Sequence, residues 1–174
     1  MARPHPGGYK EGNNVILIGM PAVGKSTLGV LLAKSTSRDF LDTDVYIQSR
    51  ERQTLPAILA AEGRDGFRRI EEEAVLTLEQ RDTVVATGGS VVYGKRAMAH
   101  LKAGGIVVYL HVPLAILAQR IKDFIGRGVV MAEGQTLEEL LAEREPLYRQ
   151  WADVTVDCQA GTHEEVLERI LKAL

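Results

Sequence analysis

Val15-Ile16-Leu17-Ile18-Gly19-Met20-Pro21-Ala22-Val23-Gly24-Lys25-Ser26-Thr27 is an apolar run that turns through glycines into Leu28-Gly29-Val30-Leu31-Leu32-Ala33-Lys34. It reads as strand, phosphate loop and helix, and residues 19 to 26 match G-x-x-x-x-G-K-[ST]. Glycine permits positive φ and lets the backbone approach an anion closely. The helix that follows offers unpaired N–H groups and the positive end of its dipole. Lys25 then supplies a compact charge for the β/γ oxygens, and Ser26 a hydroxyl for Mg²⁺. A chance glycine turn before a helix is the alternative, but the aliphatic strand and aliphatic helical run on either side are the context of a nucleotide phosphate cradle.

The 174 residues, 45% of them hydrophobic, suffice for one α/β domain with a closed core and are too few for two ordinary ones. Residues 1–13 lack the apolar core of a signal peptide and read as a flexible leader, leaving 14–174 as a single domain. Lysine plus arginine number 21 against 23 acids, a net charge of -2, which provides no bulk basic field for nucleic acid. The single cysteine, Cys158, cannot form an internal disulfide and suits a reducing interior, where it reads as a small apolar residue. No run approaches the roughly 18 apolar residues that span a bilayer. The expectation is a cytoplasmic monomer with neither membrane nor nucleic-acid partners.

Downstream of the phosphate loop, a short strand from Asp39 to Asp42 leads into Thr43-Asp44. In an extended conformation Asp42 and Asp44 would face the same side, at the end of a strand where open parallel sheets bind ligands. That spacing suits one carboxylate near Mg²⁺ and one at an acceptor hydroxyl. Helix capping by Asp44 is the simpler alternative. Residues 45 to about 73 have a helical pattern, with Pro56 at a start and Gly63 as a break. Within them, Arg69 and most of the acids at 71 to 73 read as a solvated face with charge pairs, and Arg68 is left open.

Thr83 to Thr87 is a β-branched strand that stops at Gly88-Gly89-Ser90, where the glycines expose N–H groups to the crevice or simply make a tight turn. Residues 94–101 read as helix, 106–110 as strand and 114–121 as helix. Residues 122–134 lose periodicity, and glycines flank Arg127, the form of a lid over phosphates or of an ordinary loop. Thr136 to Glu139 carries a capping box that opens a helix through Arg144, with Pro146 after it. A strand over 153–157 and an amphipathic helix over 163–174 close the chain. His100, His111 and His163 lack metal-ligand spacing. Five strands separated by helices make a three-layer α/β fold, a five-stranded parallel sheet with helices on both faces.

Taken together, Gly19 to Thr27, Leu41-Asp42-Thr43-Asp44, Gly63 with Phe67-Arg68-Arg69-Ile70-Glu71, Gly88-Gly89, and Glu143-Arg144 with Pro146-Leu147-Tyr148-Arg149 resemble the shikimate kinases, from about residue 14 to the end. The resemblance implies a P-loop NTPase fold of the nucleoside-monophosphate-kinase type, with ATP and Mg²⁺ as cofactors and a shikimate-binding segment at about 45–73. It implies that Gly19, Pro21, Ala22, Val23, Gly24, Lys25, Ser26 and Thr27 hold ATP, with Lys25 stabilising the transferring phosphoryl group. Arg120 would flank the adenine and Arg127 would reach the phosphates from a lid at about 122–134. Ser26 and Asp42 would hold Mg²⁺, and Asp44 would bind the acceptor hydroxyls and assist proton removal. Arg68 and Arg144 would grip the substrate carboxylate, and the Gly88 and Gly89 amides would touch the substrate.

The chain departs from the family pattern in three places. Ser90 stands where a third glycine is usual, Gly128-Val129 follows the lid arginine in place of Pro-Leu, and Arg64 replaces a usual glutamate. Kinases of gluconate, quinate or nucleoside monophosphates, and a nucleotide-binding regulatory module without turnover, are the competing readings. The nucleotide version calls for several lid arginines, and a silent module would be expected to lose Lys25, Asp44 or the substrate arginines.

Overall fold

The structure is a computed structural model that describes residues 13–121 and 130–174. The leader therefore lies outside the described residues except for Asn13, as does the lid over 122–129, including Arg127.

Strands β1 (Asn14–Ile18), β2 (Asp39–Asp42), β3 (Thr83–Ala86), β4 (Gly105–His111) and β5 (Val154–Asp157) form one all-parallel sheet in the order β2-β3-β1-β4-β5. The central strand pairs Val15 with Val84 on one side and with Ile106 on the other. A strand covered on both faces needs apolar side chains at every position, and Val15, Ile16, Leu17 and Ile18 are fully buried. The helices are α1 (Lys25–Thr36), α2 (Thr43–Glu51), α3 (Leu55–Leu76), α4 (Lys95–Gly104), α5 (Leu114–Ile121), α6 (Leu137–Trp151) and α7 (His163–Ala173), with a 3₁₀ turn at Val91–Tyr93.

Right-handed crossovers place α1, which carries the chain from β1 outward to β2, on the face opposite α4, which carries it from β3 across β1 to β4. The contacts agree, since α1 meets α7 and α3 meets α4. The connections leaving the parallel neighbours β1 and β3 pass to opposite sides of the sheet, so a crevice opens at their carboxyl ends, between the phosphate loop and Gly88-Gly89. A smaller apolar cluster of Ile47, Leu55, Ile58, Phe67, Ala74 and Val130 roots α2 and α3 beside that crevice.

The structure differs from the sequence expectation at α2 and α6, and agrees with it on the break at Gly63. Asp44 is not the cap of α2 and does not follow Asp42 in extended backbone. Asp42 itself is the N-cap, its Oδ1 accepting from the amides of Asp44 at 2.9 Å and Val45 at 3.3 Å, and Asp44 sits in the first helical turn. The α3 segment bends at Gly63 (φ 66°, ψ -176°), a conformation that side chains strongly disfavour. The α6 helix runs through Pro146 to Trp151 instead of ending near Arg144. Proline there forfeits the hydrogen bond to the carbonyl of Ala142, an exposed residue, while buried Leu141 and Tyr148 anchor both halves. The capping box at Thr136 and Glu139 forms as the sequence implies, with bonds of 3.1 and 2.8 Å. Among the described residues no helix is long and apolar enough to cross a membrane.

Candidate active site

The phosphate loop is built on positive φ at Gly19 (147°), Ala22 (65°) and Gly24 (98°). A Cβ on Gly19 would lie 2.7 Å from the Leu110 carbonyl oxygen, so the loop can leave β1 only through glycine. Lys25 opens α1 and folds back into the loop, its Nζ donating to the carbonyls of Gly19 and Met20, each at 2.8 Å. Burial lowers its pKa to about 8 against the opposing pull of Asp44. The ammonium is thus held by neutral carbonyls, poised to gain from an anion entering the loop. Ser26 Oγ donates to Asp42 Oδ2 at 2.6 Å, so one carboxylate caps α2 and meets the start of α1 at once. Arg120 reaches this loop from α5, with Nη1 3.5 Å from the Val23 carbonyl.

Asp44 projects from the first turn of α2 into the same crevice. Burial and the neighbouring Asp42 raise its pKa to about 6, with Lys25 opposing. The glycine pair lines the facing wall. Gly88 donates its N–H to Thr43 Oγ1 at 3.0 Å, so that amide is already engaged, and a Cβ at Gly88 would strike Glu71 Oε1 at 2.4 Å and Asp44 Oδ1 at 2.8 Å. A Cβ at Gly89 would lie 2.9 Å from Arg144 Nη1 and 3.0 Å from Pro21 Cδ. Tyr148 fixes this segment by donating to the Gly89 carbonyl at 2.6 Å. The glycines are therefore spacers that let α3, α6 and the phosphate loop converge.

Arg68 on α3 and Arg144 on α6 meet at Tyr93, on the 3₁₀ turn. The Arg68 guanidinium carbon lies 3.7 Å from the centroid of the Tyr93 ring and that of Arg144 lies 5.4 Å from it. Arg144 is only 1% exposed, with Nε donating to Tyr93 Oη at 3.2 Å and Nη2 donating to the Val130 carbonyl. Tyr93 in turn donates to Glu143 Oε1 at 2.5 Å, and Glu143 lies 4.0 Å from Arg68. Nε of Arg68 is buried without a hydrogen-bond partner among the described residues. Sequence reasoning missed Tyr93 altogether, because a tyrosine in a short turn carries no periodic signal.

Glu71 overturns the reading of the acids after Arg69 as mostly solvated. It is 2% exposed, and its Oε2 accepts from Ser90 Oγ at 2.6 Å while Oε1 has no hydrogen-bond partner among the described residues. Burial lifts its pKa to about 7, the Ser90 hydrogen bond opposes this and Asp44 adds to it. Glu72 caps α4 instead, accepting from the amides of Arg96 and Ala97 at 3.0 and 3.3 Å. Its position one turn after Phe67, on the apolar face of α3, was the signal available for Glu71. Ser90 is buried and turned toward Glu71.

One cavity of about 650 Å³ joins the phosphate loop to Arg144, lined by Pro21, Lys25, Asp44, Gly89, Ser90 and Arg144 among others, with Arg68 outside the lining and reaching it through Tyr93 and Arg144. It has a cationic loop at one end, a buried arginine at the other and a carboxylate between them, a layout suited to transferring a phosphoryl group to an anionic hydroxylated acceptor. Among the described residues no group of three or more His, Cys, Asp or Glu could hold a metal. His100 bonds the Leu78 carbonyl at 2.7 Å and His111 faces Glu145 at 3.8 Å. Cys158 is buried, and burial pushes its thiol up to about 11.

The family model described as shikimate kinase matches residues 21–174. A shikimate kinase from Halorhodospira halophila is 37% identical over 169 residues, 95% of this chain and 96% of that protein. The structure of shikimate kinase from Acinetobacter baumannii in complex with shikimate superposes with a TM-score of 0.85 at 35% identity, covering 92% of this chain and 91% of the other. A gluconokinase from Sinorhizobium meliloti shares the fold, with a TM-score of 0.57 at 20% identity over 98% of this chain and 93% of the other.

Proposed function

The chain belongs to the shikimate kinase family, and from that premise we propose that it transfers the terminal phosphoryl group of ATP to a hydroxyl of shikimate, giving shikimate 3-phosphate. The observation that carries this reading is the single cavity in which Lys25, Asp44 and Arg144 converge, with Arg68 sharing the Tyr93 ring with Arg144.

The phosphate loop, residues 19 to 27, takes the ATP phosphates on its amides, and Lys25 exchanges its two carbonyl partners for phosphoryl oxygens as charge develops. Arg120 flanks the adenine and Arg127 closes from the lid. Ser26 Oγ and Asp42 Oδ2 are hard oxygen donors on adjoining elements, a set that fits Mg²⁺ completed by phosphates and water. When bound, the ion neutralises phosphate charge. Asp44 accepts a hydrogen bond from the acceptor hydroxyl and takes its proton as the bond to phosphorus forms. Arg144 and Arg68 hold the acceptor carboxylate as paired forks, for which guanidinium geometry is suited. Gly88 and Gly89 supply the wall against which the ring lies, and the amide there that is not engaged by Thr43 is that of Gly89.

The reading includes a cytoplasmic monomer without a nucleic-acid partner, and the balance of 21 basic against 23 acidic residues supports the last point. The test is a coupled ATP-consumption assay across shikimate, quinate, gluconate and nucleoside monophosphates. Preference for shikimate is expected, and a higher kcat/KM for any of the others would overturn the assignment.

A further inference from the structure

Ser90 stands immediately before the 3₁₀ turn that presents Tyr93, and its hydroxyl is buried. The Oγ donates to Glu71 Oε2 at 2.6 Å, and Glu71 lies three residues beyond Arg68 on α3. One hydrogen bond thus ties the element that carries Arg68 to the element that carries Tyr93, at the level where the two side chains stack at 3.7 Å. It is also the hydrogen bond that holds the Glu71 side chain, whose other oxygen is buried beside Gly88 and Asp44 with no hydrogen-bond partner among the described residues. A buried carboxylate deprived of its donor turns or draws in water rather than stay unsatisfied.

We propose that Ser90 is a positioning residue for acceptor binding: its hydroxyl anchors Glu71, and the anchored α3 keeps the Arg68 fork on the Tyr93 ring and aligned with Arg144. This rests on the reading of Arg68 and Arg144 as the carboxylate clamp. The phosphate loop makes no hydrogen bond to either residue, so the anchor is expected to act on the acceptor more than on ATP.

The experiment is a double-mutant cycle of Ser90→Ala and Glu71→Leu with Ser90→Thr alongside, measured with each substrate varied in turn. Ser90→Ala is expected to raise the acceptor KM about tenfold, the scale of one hydrogen bond to a charged group, with kcat and the KM for ATP within about twofold. Ser90→Thr keeps the hydroxyl and restores most of the loss. In the Glu71→Leu background Ser90→Ala costs nothing further, because the anchor has no partner left. An equal loss in both backgrounds would mean that Ser90 touches the acceptor itself, and would overturn the proposal. Should Glu71→Leu not fold, the Ala and Thr variants decide alone, equal losses overturning it and recovery by Thr supporting it. The wild-type protein is assayed first, so a wrong acceptor shows as a wild-type result, and the Ser90 ratios are read on whichever acceptor it prefers. Amide exchange at Tyr93 in the ligand-free protein gives a readout without any acceptor, faster in Ser90→Ala and near wild type in Ser90→Thr.

Discussion

The guanidinium of Arg68 lies over the ring of Tyr93, 3.7 Å from its centroid, and the same ring approaches Arg144 at 5.4 Å. Two like charges are brought close by a shared aromatic face and by Glu143 on the tyrosine hydroxyl, so the pair is ready for an anion before one arrives.

Replacing Arg68 by Lys keeps the charge and loses both the fork and the planar stack. The acceptor KM is expected to rise at least about tenfold with little change in the KM for ATP. Steady-state kinetics with each substrate varied checks this, and an unchanged acceptor KM would remove Arg68 from the site.

Lys25 is desolvated at the mouth of the phosphate loop, where its hydrogen bonds go to two carbonyls and Asp44 supplies the largest opposing attraction. Lys25→Met is expected to lower kcat at least about a hundredfold, the usual scale for losing a preorganised charge at a transferring group. Its melting temperature should match or exceed wild type, because the buried ammonium costs solvation in the ligand-free protein. Calorimetry beside single-turnover kinetics reads both.

Glu71 supplies a stability test with a defined sign. Its folded pKa of about 7 lies above the unfolded value of 4.5, so the native state binds the extra proton and stability from this group is lost as pH rises between those values. Glu71→Gln remains neutral and still accepts from Ser90. The variant should therefore melt close to wild type near pH 4.5 and several degrees higher at pH 8, a gap on the order of 1–3 kcal/mol. Melting curves at the two pH values check it, and a gap that shrinks with rising pH would contradict the assignment.

Gly88→Ala places a methyl 2.4 Å from Glu71 Oε1 and 2.8 Å from Asp44 Oδ1. The Glu71 carboxylate is buried and has little room to withdraw, and relief by backbone shift costs about 1–3 kcal/mol. Activity is expected to fall at least about tenfold, with a lowered melting temperature. Wild-type kinetics in this variant would show that the two carboxylates are not held where the structure has them.

The strands and the phosphate loop were legible because the signals are local: aliphatic runs bounded by glycines for β1, β3 and β4, and a fixed spacing from Gly19 to Ser26. Asp42, Asp44, Arg68 and Arg144 were legible as an ordered set through the family resemblance. Three things were not. The cap of α2 falls to Asp42 because β2 ends one residue before the helix starts, a boundary that pattern reading cannot resolve. Glu71 looked like one acid in a charged run, yet the α3 face it shares with Phe67 turns inward. Tyr93 and the Ser90 anchor depend on contacts with residues 19 to 51 positions away in sequence, which no local period encodes.

A structure of the protein with shikimate and a non-hydrolysable ATP analogue tests the central claim most directly. The account predicts the acceptor carboxylate between the Arg68 and Arg144 forks, one ring hydroxyl within hydrogen-bond reach of Asp44, and the terminal phosphate against Lys25. A carboxylate bound away from both arginines, with the phosphates still in the loop, would contradict it.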